Sequence, residues 1–228
     1  MDITITCIGD SFTIGGELPL EETNQYSKLA WPTKLGALLN ATVINRGMGG
    51  ASNSLIIKRA ITTTFEKNSD IIIVAWSNPV RSELVDEKGV FAYWPGRNTS
   101  IIVNKDREDF IKAHTVYETE NLYKWAHRRW LRDIILLQNL FKAQNQKYIM
   151  IQSHGSQYYN QKWLVESDLH CDLANNIDTT FLPGWPLNGI VEWIEDDTRL
   201  PNGHPSEIGH QRVAEKLNEY IRNIGWVS

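Results

Sequence analysis

A chain of 228 residues, 42% hydrophobic and 22% charged, has the make-up of one water-soluble globular domain with a sizeable core. Its net charge of −4 offers no basic field for nucleic acid, and no apolar run reaches membrane-spanning length, so neither is expected as a partner. Cysteine occurs only at Cys7 and Cys171, and Cys7 lies in an apolar run, so a disulfide framework is not expected.

No basic-then-apolar leader opens the sequence, which therefore reads as cytoplasmic. No repeat, low-complexity tract or linker breaks it, so residues 1–228 read as a single domain. Nine tryptophans exceed what such a core needs, and flat rings commonly line clefts for sugars and other amphipathic ligands.

Ile3, Ile5, Cys7 and Ile8 form a β-branched, apolar strand that stops at Gly9-Asp10-Ser11. Gly9 permits the sharp change of direction, and Ser11 falls where α/β proteins place their ligands, just past a strand's C-terminal end. Gly15-Gly16-Glu17-Leu18-Pro19 continues as loop. A helix is expected from Trp31-Pro32 to Leu39, with the proline in its first turn. The short strand Thr42-Val43-Ile44 runs into Asn45-Arg46-Gly47-Met48-Gly49-Gly50, whose glycines leave backbone N–H groups uncovered ahead of a helix over 52–68. The spacing is not that of a dinucleotide fingerprint.

Asp70 to Trp76 is a near-continuous apolar run, as a central parallel strand covered on both faces requires, and it ends at Ser77-Asn78-Pro79. Between Val85 and His114 the pattern dissolves, which reads as a lid or insertion, with room for a hairpin. Thr115 and Glu118 form a capping box for a long helix. Leu122, Trp125, Ala126, Trp130, Ile134, Leu137 and Phe141 are its expected buried stripe, and His127, Arg128, Arg129 and Arg132 its solvated face.

Tyr148 to Gln152 is the fourth strand, ending at Ser153-His154-Gly155. Residues 156–201 give no assignable elements. Asn202-Gly203-His204-Pro205 is a constrained loop before a last helix, whose expected core face is Ile208, Val213, Ala214, Leu217, Ile221 and Ile224. His204 and His210 are wrongly spaced for two ligands on one helical face, so no metal is expected.

Taken singly, each polar turn is explained by the turn preferences of Gly, Asp, Asn and Ser. Together, parallel strands would deliver Ser11, Gly50 and Asn78 to one sheet edge. In these blocks and their order the chain resembles the SGNH (GDSL-like) hydrolases, over nearly its whole length. The resemblance implies a three-layer α/β/α sandwich around a flavodoxin-like, mostly parallel sheet. It further implies Ser11 as nucleophile, His204 as base, and an oxyanion hole made by Ser11, Gly50 and Asn78, with no cofactor.

Two positions depart from the family pattern. Pro79 follows Asn78 where Asp is usual, and Pro201 stands where the family places the acid that orients the histidine. Asp197 or Asp196 is one replacement, and a Ser–His dyad held by a backbone carbonyl is another. Loss of an orienting acid from a conventional triad costs on the order of 10⁴ in rate. The expected activity is hydrolysis of a carboxylic ester, with an O-acetylated carbohydrate among the substrates. An acyltransferase using the same site, and a binding module with a decayed site, are the alternatives.

Overall fold

The computed structural model describes residues 3–20, 26–86, 89–93, 120–154, 172–194 and 199–227. Residues 94–119, Cys171, Asp196 and Asp197 lie outside these ranges, and with them most of the expected lid and the Thr115–Glu118 cap.

Four parallel strands form the central sheet in the order β2-β1-β3-β6: β1 (Thr4–Ile8), β2 (Thr42–Asn45), β3 (Ile71–Trp76) and β6 (Lys147–Gln152). The intervening β4 (Ser82–Asp86) and β5 (Gly89–Tyr93) pair antiparallel as a separate two-stranded ribbon, where the sequence left room for a hairpin. Every residue of β3 is buried, as its unbroken apolar run requires.

Alternation along β3 sorts its side chains between two cores. Ile71, Ile73 and Ala75 pack with Ile5, Cys7 and Ile149 against Trp31, Leu35, Val213 and Leu217. Ile72, Val74 and Trp76 pack with Ile8 and Met150 against Leu55, Ile56, Trp130 and Ile134. Helices α2 (Trp31–Leu39) and α6 (Glu207–Asn223) therefore cover one face, and α3 (Asn53–Glu66) and α4 (Glu120–Ala143) the other. This is the expected α/β/α sandwich.

Local chemistry sets the helix ends. Pro32 sits in the first turn of α2, Ser52 caps α3 through the Leu55 amide at 3.3 Å, and Ser206 caps α6 through the Gly209 amide at 3.3 Å. A one-turn helix, α1 (Ser11–Ile14), follows β1, and another, α5 (Ile190–Trp193), precedes the final loop.

Three side chains depart from the pattern read along their helices. Trp125 is 55% exposed rather than part of the α4 stripe, while His127 is buried, edge-on to Trp130 at 6.4 Å. At about 100° per residue, Trp125 lies about 140° around the axis from Trp130 and His127 only about 60° from it. Ile208, 61% exposed, lies about 180° around α6 from Leu217, on the opposite face to the core. Among the described residues no helix is long and apolar enough to cross a membrane.

These placements give opposite expectations for two isoleucines. Ile73→Ala should cost about 2–5 kcal/mol of unfolding free energy in urea titrations, whereas Ile208→Ala should stay within about 0.5 kcal/mol. Equal losses would contradict the assignment of the α6 core face.

Candidate active site

Because all four sheet strands are parallel, their C-terminal ends share one edge, and the loops leaving them converge there. At the end of β1, Asp10 caps α1 by accepting the Phe12 amide at 3.1 Å, which makes Ser11 the first residue of that turn. A Cβ on Gly9 would stand 2.1 Å from Thr13 Oγ1 and 2.9 Å from the Ala75 Cβ, so this tight turn needs glycine.

Asp10 is fully buried and collects donors from two other strand ends. Ser77 Oγ donates to Oδ2 at 2.8 Å and Arg81 Nη1 at 3.3 Å, both from the segment after β3. His154, after β6, places Nε2 2.9 Å from the same oxygen. Burial alone would raise the Asp10 carboxyl, but the His154 hydrogen bond, the nearby Arg81 charge and the Ser77 hydroxyl outweigh it. They hold the group well below the usual carboxylate range. Arg81 also donates to the Ala51 carbonyl at 3.2 Å, extending the network to the loop after β2.

That loop is pinned to the serine turn and to α3. Asn45 Nδ2 donates to the Thr13 carbonyl at 2.9 Å, the Met48 amide to the Gly9 carbonyl at 2.9 Å, and Arg59 to the Arg46 carbonyl at 2.6 Å. Gly50 has φ +75, the left-handed region that its lack of a side chain allows. Asn78 uses its Oδ1 to accept the Val80 amide at 2.9 Å, which leaves the Nδ2 end of the amide as its donor. Among the described residues, no hydrogen bond engages the Ser11 N–H, the Gly50 N–H or Asn78 Nδ2.

The last loop brings His204 back across the chain. Leu200 donates to the His204 carbonyl at 2.7 Å, Gly203 takes φ +87, and a bridge joins Arg199 to Pro205. His204 Nε2 then lies 2.9 Å from Ser11 Oγ. Its Nδ1 lies 2.7 Å from Oε2 of Glu17. A carboxylate only accepts, so Nδ1 carries the proton and Nε2 is left to accept from the serine hydroxyl.

Glu17 is the residue that the sequence did not single out. Its Oε1 accepts the Asn202 amide at 3.3 Å and Asn202 Nδ2 at 2.6 Å, clamping the histidine loop to the serine loop. Partial burial works to raise its carboxyl, but His204 and Asn202 prevail and lower it, so it stays ionised near neutrality. The signals were an acid beyond two glycines and within six positions of the serine. What concealed it was backbone conformation, since Glu17 has φ +66, rare for a residue with a side chain. Phe12 completes the wall, edge-on to the His204 ring at 5.2 Å and 4.9 Å from the His154 ring.

No protein-family model and no curated protein sequence matches this chain. Solved structures do. TesA aligns over 97% of this chain and 99% of its own at 11% identity, with a TM-score of 0.57. The psychrotrophic esterase EstA from Pseudoalteromonas sp. covers 98% of each chain at 11% identity and TM-score 0.54. A member of the lipolytic protein G-D-S-L family from Veillonella parvula covers 95% of this chain and 97% of its own, at 15% identity and TM-score 0.51. The present chain shares the fold of these proteins, the last a G-D-S-L family member by name, across nearly its full length: the SGNH hydrolase fold.

Two consequences can be measured. The low Asp10 carboxyl contributes stability that is fully present above the unfolded value near 4 and is lost as pH falls through it toward the folded value. Thermal midpoints of the wild type should therefore drop steeply below about pH 4. Asp10→Asn should lose about 3 kcal/mol or more at neutral pH and show a flatter acid limb. Separately, a Cβ on Gly16 would sit 3.0 Å from His204 Nε2 and 3.2 Å from the Ser11 Cβ. Gly16→Ala should displace the imidazole from its 2.9 Å contact with Ser11 and shift the His204 ring signals in NMR spectra, with little change in the thermal midpoint. Unmoved His204 signals would show that the ring needs no such close approach.

Proposed function

We propose that the protein is a serine esterase that hydrolyses a carboxylic ester through an acyl-serine intermediate. The single observation that carries this reading is the unbroken line from Ser11 Oγ to His204 Nε2, at 2.9 Å, and from His204 Nδ1 to Glu17, at 2.7 Å.

A serine hydroxyl is a weak nucleophile until a base within hydrogen-bond reach takes its proton. His204 fills that role, with Glu17 fixing the tautomer and stabilising the imidazolium as it forms. Attack on the ester carbonyl generates an oxyanion. The Ser11 and Gly50 N–H groups and Asn78 Nδ2 are the donors for it, each worth about 3–4 kcal/mol in such sites. The alcohol then leaves with the proton from His204, and water, activated by the same base, releases the acid.

Pro201, which leaves no acid three residues before His204, is the feature in favour of a decayed site. It loses that weight because Glu17, on the nucleophile's own loop, supplies the carboxylate. The structural neighbour EstA is an esterase inhibited by monoethylphosphonate, which supports a nucleophilic mechanism for this fold. An O-acetyl ester of a carbohydrate remains the proposed substrate class.

Ser11→Ala should abolish hydrolysis of p-nitrophenyl acetate and labelling by a fluorophosphonate while leaving the thermal midpoint unchanged. Glu17→Gln should keep KM and lower kcat on the order of 10²–10⁴-fold. Residual labelling of the alanine variant at another serine, with turnover intact, would refute the assignment. An unchanged kcat in the glutamine variant would reduce the site to a Ser–His dyad.

A further inference from the structure

Pairing of β3 with β1 ends at Ile8 and Val74, and with β6 at Trp76 and Gln152, so Ser77 lies past both ladders. Its backbone is satisfied instead by a side chain. The Ser77 N–H donates to Asn53 Oδ1 at 2.8 Å, and Asn53 Nδ2 donates to the Ser77 carbonyl at 3.0 Å. Together these bonds pair one amide with one residue's backbone, much as a neighbouring strand would. Both residues are buried. A flipped amide would set donor against donor and acceptor against acceptor, so its partner fixes the orientation of the Asn53 side chain. Without it a buried N–H and a buried C=O are left unpaired, which costs more than two such bonds contribute.

What the pairing joins is specific. Asn53 is the first residue of α3 and stands three positions after Gly50, whereas Ser77 directly precedes Asn78. The two segments follow different strands, β2 and β3, and each holds one proposed oxyanion donor. A second tie spans the same segments. Arg81, whose amide donates to the Asn78 carbonyl at 3.0 Å, gives Nη1 to the carbonyl of Ala51, the residue after Gly50, at 3.2 Å. Among the described residues no atom comes within 4 Å of where a Gly50 Cβ would stand, so packing at that position does not fix it. Oxyanion donors act only when all sit about 2.7–3.1 Å from one point, so the spacing between the two loops bears directly on catalysis.

We propose that Asn53 is a positioning residue of the ester-cleaving site, its side-chain amide setting the spacing of the Gly50 and Asn78 donors so that both reach one oxyanion. The inference rests on the esterase reading and adds to it a residue that touches neither substrate nor reacting atoms. Because Asn53 acts through the donors, its loss falls on the transition state rather than on ester binding.

The test is a double-variant cycle on p-nitrophenyl acetate hydrolysis. Asn53→Ala should lower kcat about 10²-fold and leave KM within about twofold. Asn78→Ala should lower kcat about 10²–10³-fold. The two together should cost at least about tenfold less than the product of the single losses, because a donor already removed cannot be misplaced. Multiplicative losses, or an Asn53→Ala variant with a lowered thermal midpoint and unchanged kcat, would overturn the proposal. If Asn53→Ala does not fold, Asn53→Asp is carried through the same cycle, since it keeps the size and the acceptor but, ionised, has no donor for the Ser77 carbonyl. The esterase reading is kept separate by NMR on the Ser11→Ala protein. There the Asn53 substitution should shift the Gly50 amide and Asn78 side-chain amide signals, and unmoved signals would overturn the coupling of the two loops. Failure of the protein with Ser11 intact to hydrolyse p-nitrophenyl acetate would instead count against the esterase reading, with the coupling still read from the signals.

Discussion

The Asp10 carboxylate is the constraint on which the site depends. It is fully buried, and a buried charge is tolerable only when paired and hydrogen-bonded. Its partners come from the ends of two other strands: Ser77 and Arg81 after β3, and His154 after β6. Through the Arg81 bond to the Ala51 carbonyl the same group reaches the loop after β2. Hydrophobic burial alone would accept small slippage of these loops. A shared carboxylate oxygen does not, because any loop that drifts leaves the charge under-coordinated in a low-dielectric interior. Asp10, directly before the proposed nucleophile in the chain, thus sets the alignment of the whole edge.

The acid that faces the imidazole comes from the serine side of the cleft. Ser11, Gly16 and Glu17 occupy one short stretch, so the proposed nucleophile and the acid proposed to orient the base share one loop. His204 alone arrives from far along the chain. The arrangement has a local cost, since Glu17 holds a left-handed backbone conformation, typically about 1–2 kcal/mol for a residue with a side chain. Gly15, at φ +76, and Gly16, without a side chain to meet the imidazole, make the rest of the turn permissible. The bonds from Asn202 to Glu17 then hold the histidine loop in register with it. Strain concentrated at a single loop residue, over-determined by its neighbours, is characteristic of positions where conformation serves chemistry.

The sheet was legible in the sequence because its information is local and periodic. The β3 run could belong only to a strand covered on both faces, and the turns at Ser11, Gly50 and Asn78 follow their strands directly. The acid was not legible. Spacing before the histidine points to Pro201, Asp196 and Asp197, whereas the contact that matters spans 187 positions and depends on a positive φ at Glu17. His154 was legible only as the end of the fourth strand, because nothing in its own neighbourhood reveals that its partner is Asp10. On α4 the apolar residues follow two overlapping helical rows. Composition cannot say which of Trp125 and Trp130 faces the core, and only the angle between them decides it.

That ambiguity follows from what α4 must do. Its later turns supply Trp130, Ile134, Leu137 and Phe141 to the core beneath the sheet. Its earlier turns bury Ala126 and His127 but leave Trp125 55% exposed. Arg129, in the same turns, reaches the Pro79 carbonyl at 3.5 Å, in the segment that follows β3. A helix antiparallel to its neighbouring strands therefore brings its least core-bound residues to the edge where the strand loops gather the hydroxyl, the imidazole and the amide donors. In a doubly covered parallel sheet, chemistry and recognition meet at one rim because that is where side chains are released from packing.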